Sequence, residues 1–393
     1  MSQTSLQILR YPLNKKFAFS IVDDTDDATL EKVKKAYAFL DELGIKATKT
    51  VWVFPSTRKS GDDTTGKWCE GVTLADSGYL LFIKNLATRG HEISLHTASG
   101  GNNLREDTLR AYEFFKRELG FYPVMNIMHG RNRDNLYYGK EAFKGIFRLL
   151  ASLYSADTFE GHSPQSPFYW GDILSNRSRY VRFYKSMTLN TLRINPSMPY
   201  HDPAKPLVPR WFSSTDLSSL ETIRQNLTTL SLERLMHEEG VCIGYTYFQY
   251  YLDPSLKMHP LIEERFRLLD KYRHHVWFTP ASPLLDRLEQ TKNLHLKNHR
   301  GKTMLLNYSD KAIEDVWVRG PAGTRLYLEN GEQLLIGPSG TGHCIKIAPC
   351  ENKNAVPQIP RLRPGEELRM IISQLYLLLF RHLSGRPLRR KGF

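Results

Sequence analysis

KFAFSIVDDTDD, residues 16–27, is the stretch on which the fold turns. An apolar run rich in Phe, Ile and Val stops abruptly at four carboxylates in five positions, Asp23, Asp24, Asp26 and Asp27. Such a run reads as a buried strand that delivers acid to its C-terminal end. In α/β proteins ligands and catalytic groups gather at that end, because the loops there vary while the sheet stays rigid. Asp and Thr also cap helices, by accepting from free N–H groups at the positive end of the dipole, and Asp26 and Asp27 are assigned that role. Four carboxylates on one turn repel one another, so a cation or a proton belongs among them.

Outward from this turn, residues 29–43 place Leu30, Val33, Ala36, Tyr37, Leu40 and Leu43 at helical spacing, and Gly44 ends the helix. Residues 49–54 (KTVWVF) predict the next strand, and residues 57–71 a long loop over the same rim. A helix over 80–88 and a strand over 91–95 bring His96 to a strand tip. A helix over 107–119 and a strand over 124–128 do the same for His129. The alternation is less regular through the aromatic loop 161–172 and the proline-rich 198–206. It resumes with a helix over 217–237, a strand over 241–248, and a last strand and helix over 276–278 and 281–288. Repeated βα units predict a parallel sheet, either closed as a barrel or open. From about residue 294, short alternating segments between Gly, Pro and Asn turns predict a small antiparallel β domain over 291–360. Residues 361–393 follow as an apolar helix and a basic tail.

The 393 residues can bury a large core, and 24% charged residues are ordinary for a globular protein. The net charge of +13 favours anionic surroundings without naming them. No nucleic-acid-reading motif accompanies it, so no nucleic-acid partner is expected. The first sixteen residues lack the pattern of a signal peptide and no apolar run approaches a membrane span, which predicts a cytoplasmic location. Cys69, Cys242, Cys344 and Cys350 form no CxxC pair, which argues against a disulfide scaffold or a zinc knuckle. The tail from 361 onward holds eight Lys or Arg against two Glu, a net +6, and predicts peripheral contact with an anionic membrane as the alternative to a helix docked on the body.

Asp23 and Asp24, His96 and His129 end three strands of the first third, and carboxylate with imidazole suits zinc or another divalent transition metal. In the middle loops His162, Asp172, His201 and Asp202 lie among Trp170, Phe168, Tyr169 and Tyr200, a mixture suited to stacking on sugar faces and equally to packing the loops. Arg182 is read as steering an acidic substrate or, as the ordinary alternative, as one half of a surface salt bridge.

FSIVDD resembles the first motif of the polysaccharide deacetylase superfamily, and RGHEISLHTAS, residues 89–99, resembles its second. The resemblance covers roughly residues 15–290. It implies an α/β fold, a distorted (β/α) barrel over 1–290, with a bound divalent metal and removal of N-acetyl groups from a glycan or glycan precursor. It makes Asp23 the general base, and Asp24 and His96 metal ligands. Gly100 stands where the second motif closes on another histidine, and His129 is assigned the vacant ligand position from the neighbouring strand. The family's late histidine falls near Thr246 or Tyr247, which leaves Tyr247 as substitute proton donor, a poor acid with an ordinary pKa of about 10. The competing reading is a catalytically inactive barrel that binds glycans or scaffolds a surface-polysaccharide assembly.

Overall fold

The computed structural model describes residues 5–62, 66–143, 148–149, 158–350, 359–363 and 365–383. After a two-residue strand β1 (Gln7–Ile8), the strands β2 (Phe17–Asp23), β3 (Thr48–Val51), β4 (Glu92–Leu95), β5 (Met125–Asn126), β6 (Tyr180–Ser186), β7 (Arg210–Asp216), β8 (Val241–Thr246) and β9 (Val276–Phe278) form one sheet. Its order is β3-β4-β5-β6-β7-β8-β2-β9, every pairing is parallel, and β2 also pairs with β3. Seven strands therefore close into a barrel. On one edge of β2, β9 pairs with Phe17 to Phe19 while β3 reaches only Val22 and Asp23, so the closure is distorted.

β2 is buried at all seven positions, as a parallel strand covered on both faces must be. Its side chains alternate. Ala18 and Val22 pack with Met125, Ile127, Tyr180, Phe212 and Ile243 inside the barrel, where Leu284, Leu285 and Leu288 of the helix Ala281–Thr291 join them. Phe17, Phe19 and Ile21 instead pack outward with Val33, Tyr37 and Leu40 of the helix Leu30–Glu42. Position 23 therefore falls on the outer face and position 24 on the inner.

Several expectations need correction. Thr29, not Asp26 or Asp27, caps the first helix, its hydroxyl accepting from Lys32 N at 3.3 Å. The helix expected over 217–237 is two helices, Leu220–Asn226 and Thr229–His237, because Thr228 starts a new cap on Ser231 N. β6 and β7 supply the regularity that the middle of the sequence hid. The C-terminal strands β10 (Leu294–His299), β11 (Lys302–Asn307), β12 (Ile313–Arg319), β13 (Arg325–Tyr327), β14 (Gln333–Leu335) and β15 (Thr341–Ile347) make two sheets over a core that includes Leu305, Val316, Val318, Leu326 and Ile336. They are not wholly antiparallel, since β11 runs parallel to β13, and β1 joins them through β12. The helix Glu366–Leu383 packs on β6, its Gln374 accepting from Lys185 N at 2.9 Å.

Candidate metal centre

Asp26, His96 and His129 meet at the C-terminal ends of β2, β4 and β5, all three buried. His96 Nε2 lies 3.0 Å from Asp26 Oδ1, and His129 Nε2 lies 3.5 Å from Asp26 Oδ2. The far nitrogens fix the tautomers. His96 Nδ1 donates to the Ile127 carbonyl at 3.0 Å. His129 Nδ1 faces Asn132 Oδ1 at 3.2 Å, an oxygen because Asn132 Nδ2 donates to the Gly101 carbonyl. With both Nδ1 atoms protonated, both Nε2 lone pairs point at a carboxylate. Lone pairs facing a carboxylate repel unless a proton or a cation lies between them. His129 Nε2 has no hydrogen-bond partner. Two imidazole nitrogens and a carboxylate oxygen, each imidazole oriented through its other nitrogen, are a donor set that fits zinc. In the metal-free protein, burial pulls the His129 pKa down, but the Asp26 carboxylate overrides it and holds His129 well above its ordinary value. Burial likewise works against Asp26, while the two histidines hold it well below the usual carboxylate range.

The carboxylate that meets the histidines is thus Asp26, the residue expected to cap a helix. Asp24 points into the barrel and takes a bidentate pair from Arg182 on β6, at 2.6 and 3.2 Å. Its Oδ2 lies 4.0 Å from His96 Nε2, beside the site rather than on it. Asp23, expected as the base, sits on the outer face, where Lys49 Nζ donates to Oδ2 at 2.8 Å and Phe248 N donates to Oδ1 at 2.8 Å. Tyr247 is buried and donates to Asp26 Oδ2 at 3.0 Å, while its own oxygen accepts from Tyr245 at 2.7 Å. Burial, reinforced by the Asp26 charge, pushes the Tyr247 phenol well above 10, and its hydrogen bond holds Asp26 in place. Gln249 Nε2 donates to the Asp24 and Asp26 carbonyls and fixes the turn between them. Trp52 stacks on His96 with an interplanar angle of 13° and meets His129 edge-on.

Of the residues expected to bind substrate, only Arg182 joins this centre. Trp170 is buried and donates to the Asp134 carbonyl. His162 accepts from Tyr137 N at 3.2 Å and packs against the Tyr137 ring, tilted by 33°. Asp172 pairs with Arg105, Asp202 with Lys205, and His201 Nδ1 contacts the Val208 carbonyl. Tyr200 is buried and bridges to Trp211. Through these contacts the aromatic loops pack together.

Gly100 explains why no second histidine stands in that stretch. A Cβ there would lie 2.7 Å from both Trp52 Cζ2 and Cys69 Cβ, so ring and thiol side chain already fill the space. Gly100→Ala is expected to cost about 1–3 kcal/mol of folding stability through overpacking, read from urea denaturation. Asp134 holds the loop before the helix Arg105–Leu119, accepting from Asn103 N at 2.9 Å and Nδ2 at 3.1 Å. Burial pushes its carboxyl up to about 6. A folded carboxyl above its unfolded value favours the neutral form, so this group's contribution to stability falls as pH rises from about 4 through 6, by up to about 3 kcal/mol. Denaturation midpoints across that window are expected to lose this slope in Asp134→Asn.

No protein-family model matches the chain, and no curated protein matches it. Among solved structures it is similar to a protein from Mycobacterium smegmatis described as a "putative polysaccharide deacetylase", at 14% identity over 74% of this chain and 96% of that one, TM-score 0.41. Puue allantoinase is similar at 11% identity over 72% and 93%, TM-score 0.40. The catalytic domain of peptidoglycan N-acetylglucosamine deacetylase from Eubacterium rectale is similar at 13% over 72% and 94%, TM-score 0.33. At these scores the barrel rests on its own strand order. Of the two motif-like stretches, FSIVDD brings Asp24 beside the centre and RGHEISLHTAS brings His96 into it.

Proposed function

We propose that the chain is a metal-dependent hydrolase that removes N-acetyl groups from a carbohydrate. The observation that carries this reading is the convergence of two oriented imidazole lone pairs on the buried Asp26 carboxylate. Asp26, His96 and His129 would hold a divalent ion, with zinc favoured by the donors, and such an ion supplies Lewis acidity toward an acetamide carbonyl and its attacking water. The chain's own residues do the rest. Tyr247 and Gln249 fix Asp26 and its turn. Arg182 holds Asp24 beside the centre, with Oδ2 4.0 Å from His96 Nε2, where it would meet a water attacking a substrate bound there. Asp24 Oδ2 takes the proton of that water as oxygen attacks the amide carbon, and returns it to the nitrogen as the C–N bond breaks. One carboxylate thereby serves as base and then as acid, which removes the need for the late histidine that Tyr247 replaces.

Acetate release from N-acetylglucosamine oligomers tests the assignment. Turnover by the zinc-loaded protein, with a fall of at least about 100-fold in Asp24→Asn at unchanged zinc content, is the expected result. Full turnover by Asp24→Asn would remove Asp24 from the chemistry. One observation favours the second reading, a glycan-binding barrel without catalysis: the phenol at the late-histidine position is buried and already bonded to Asp26. Oligomer binding without acetate release would establish it.

A further inference from the structure

The helix Glu366–Leu383 is fastened to the barrel by one face and leaves a second apolar face open. Met370, Ile371 and Leu377 are buried. Glu366 Oε1 accepts from the Ser197 hydroxyl at 3.0 Å, and Arg369 Nη1 donates to the Arg193 carbonyl at 2.9 Å. With Gln374 held by Lys185 N, polar ties run along the helix, so its orientation is set. On the opposite side Leu368, Ile372, Leu375, Tyr376 and Leu379 are 46% to 59% exposed. Steps of four, three, one and three residues gather these five side chains within an arc of about 100°. A contiguous stripe of large apolar residues differs from the scattered exposed leucines of an ordinary surface.

Charge selects what covers it. Residues 361–393 carry a net +6 of the chain's +13, and the last ten, which lie outside the described residues, contain Arg386, Arg389, Arg390 and Lys391 without any acid. Two copies meeting stripe to stripe would bring two such charges together, whereas an anionic surface neutralises them. No described helix is long and apolar enough to cross a membrane. At 18 residues, roughly 27 Å long, and apolar along one exposed arc, this one is built to lie in the plane of an interface. We propose that the outer stripe of this helix, together with the basic tail that follows it, docks the protein on an anionic lipid surface. The same helix packs on β6, the strand whose Arg182 holds Asp24, so docking and the candidate centre share a strand. The proposal does not depend on the hydrolase reading.

The test is flotation of the full chain with phosphatidylcholine vesicles, with and without phosphatidylglycerol. Flotation only with the anionic vesicles, weakened by salt, is expected. Ile372→Glu combined with Leu375→Glu is expected to reduce it at least about tenfold, and deletion of residues 384–393 to reduce it while the stripe stays intact. Circular dichroism and thermal transitions check that each variant is folded. If the stripe variant does not fold, the tail deletion decides, and unchanged flotation there overturns the proposal. Absence of wild-type flotation overturns it too, as does flotation unchanged in the folded stripe variant. A dimer in light scattering that the stripe variant breaks assigns the stripe to a second copy and likewise overturns it.

Discussion

Replacing Asp26 by Ala is expected to weaken zinc binding by at least about 100-fold, because loss of even a residue that orients a ligand costs 10–100-fold. The same substitution at Asp23 is expected to leave affinity within a few fold. The difference follows from where the two carboxylates point. Asp26 lies 3.0 and 3.5 Å from the two imidazole nitrogens, whereas Asp23 is engaged on the outer face by Lys49 and Phe248 N. Asp24→Ala gives an intermediate result, since Asp24 borders the centre at 4.0 Å and anchors Arg182. Calorimetric titration of zinc into the three variants ranks them. Equal losses at Asp23 and Asp26 would contradict the arrangement.

Lys49→Met is expected to destabilise the fold by about 3–5 kcal/mol, the range for breaking a buried ion pair by removing one partner. Both side chains are buried, and the ammonium also donates to the Asp24 carbonyl at 3.2 Å. Burial already pushes the Asp23 carboxyl up against the pull of Lys49, so losing the ammonium leaves a carboxyl that can persist only by taking a proton. The double variant Asp23→Asn with Lys49→Met is expected to recover much of the loss, because it removes the stranded charge. Urea denaturation of the two variants measures this. A single-variant loss under about 1 kcal/mol would show that the pair is solvated and that Asp23 is not locked in the outer layer.

The barrel was legible where strands were long and apolar. FAFSIV, KTVWV and VCIGYT stand out because a parallel strand covered on both faces needs no polar alternation. β6 and β7, YVRFYKS and RWFSSTD, did not stand out because they carry Arg182, Lys185, Ser213 and Ser214. Ser213 Oγ is satisfied by Asn195, and Arg182 by Asp24, partners that only the tertiary fold supplies. His96 and His129 were legible as strand-end residues. The choice among the aspartates was not, although a signal existed. Phe17, Phe19 and Ile21 alternate with Ala18 and Ser20, so period-two parity places Asp23 on the face of the large residues, the one that packs against the helix Leu30–Glu42. Asp26 lay beyond the strand, where alternation no longer applies. Its approach to two histidines depends on the turn that Gln249 braces from 223 residues away.

The most direct test of the central claim is the zinc content of the purified 393-residue chain after equilibration with excess zinc and removal of free metal, read by elemental analysis. One equivalent per chain is the predicted result. A chain that retains no zinc would contradict the account, and would leave Asp26, His96 and His129 as a hydrogen-bonded cluster inside a barrel that binds its ligand without metal chemistry.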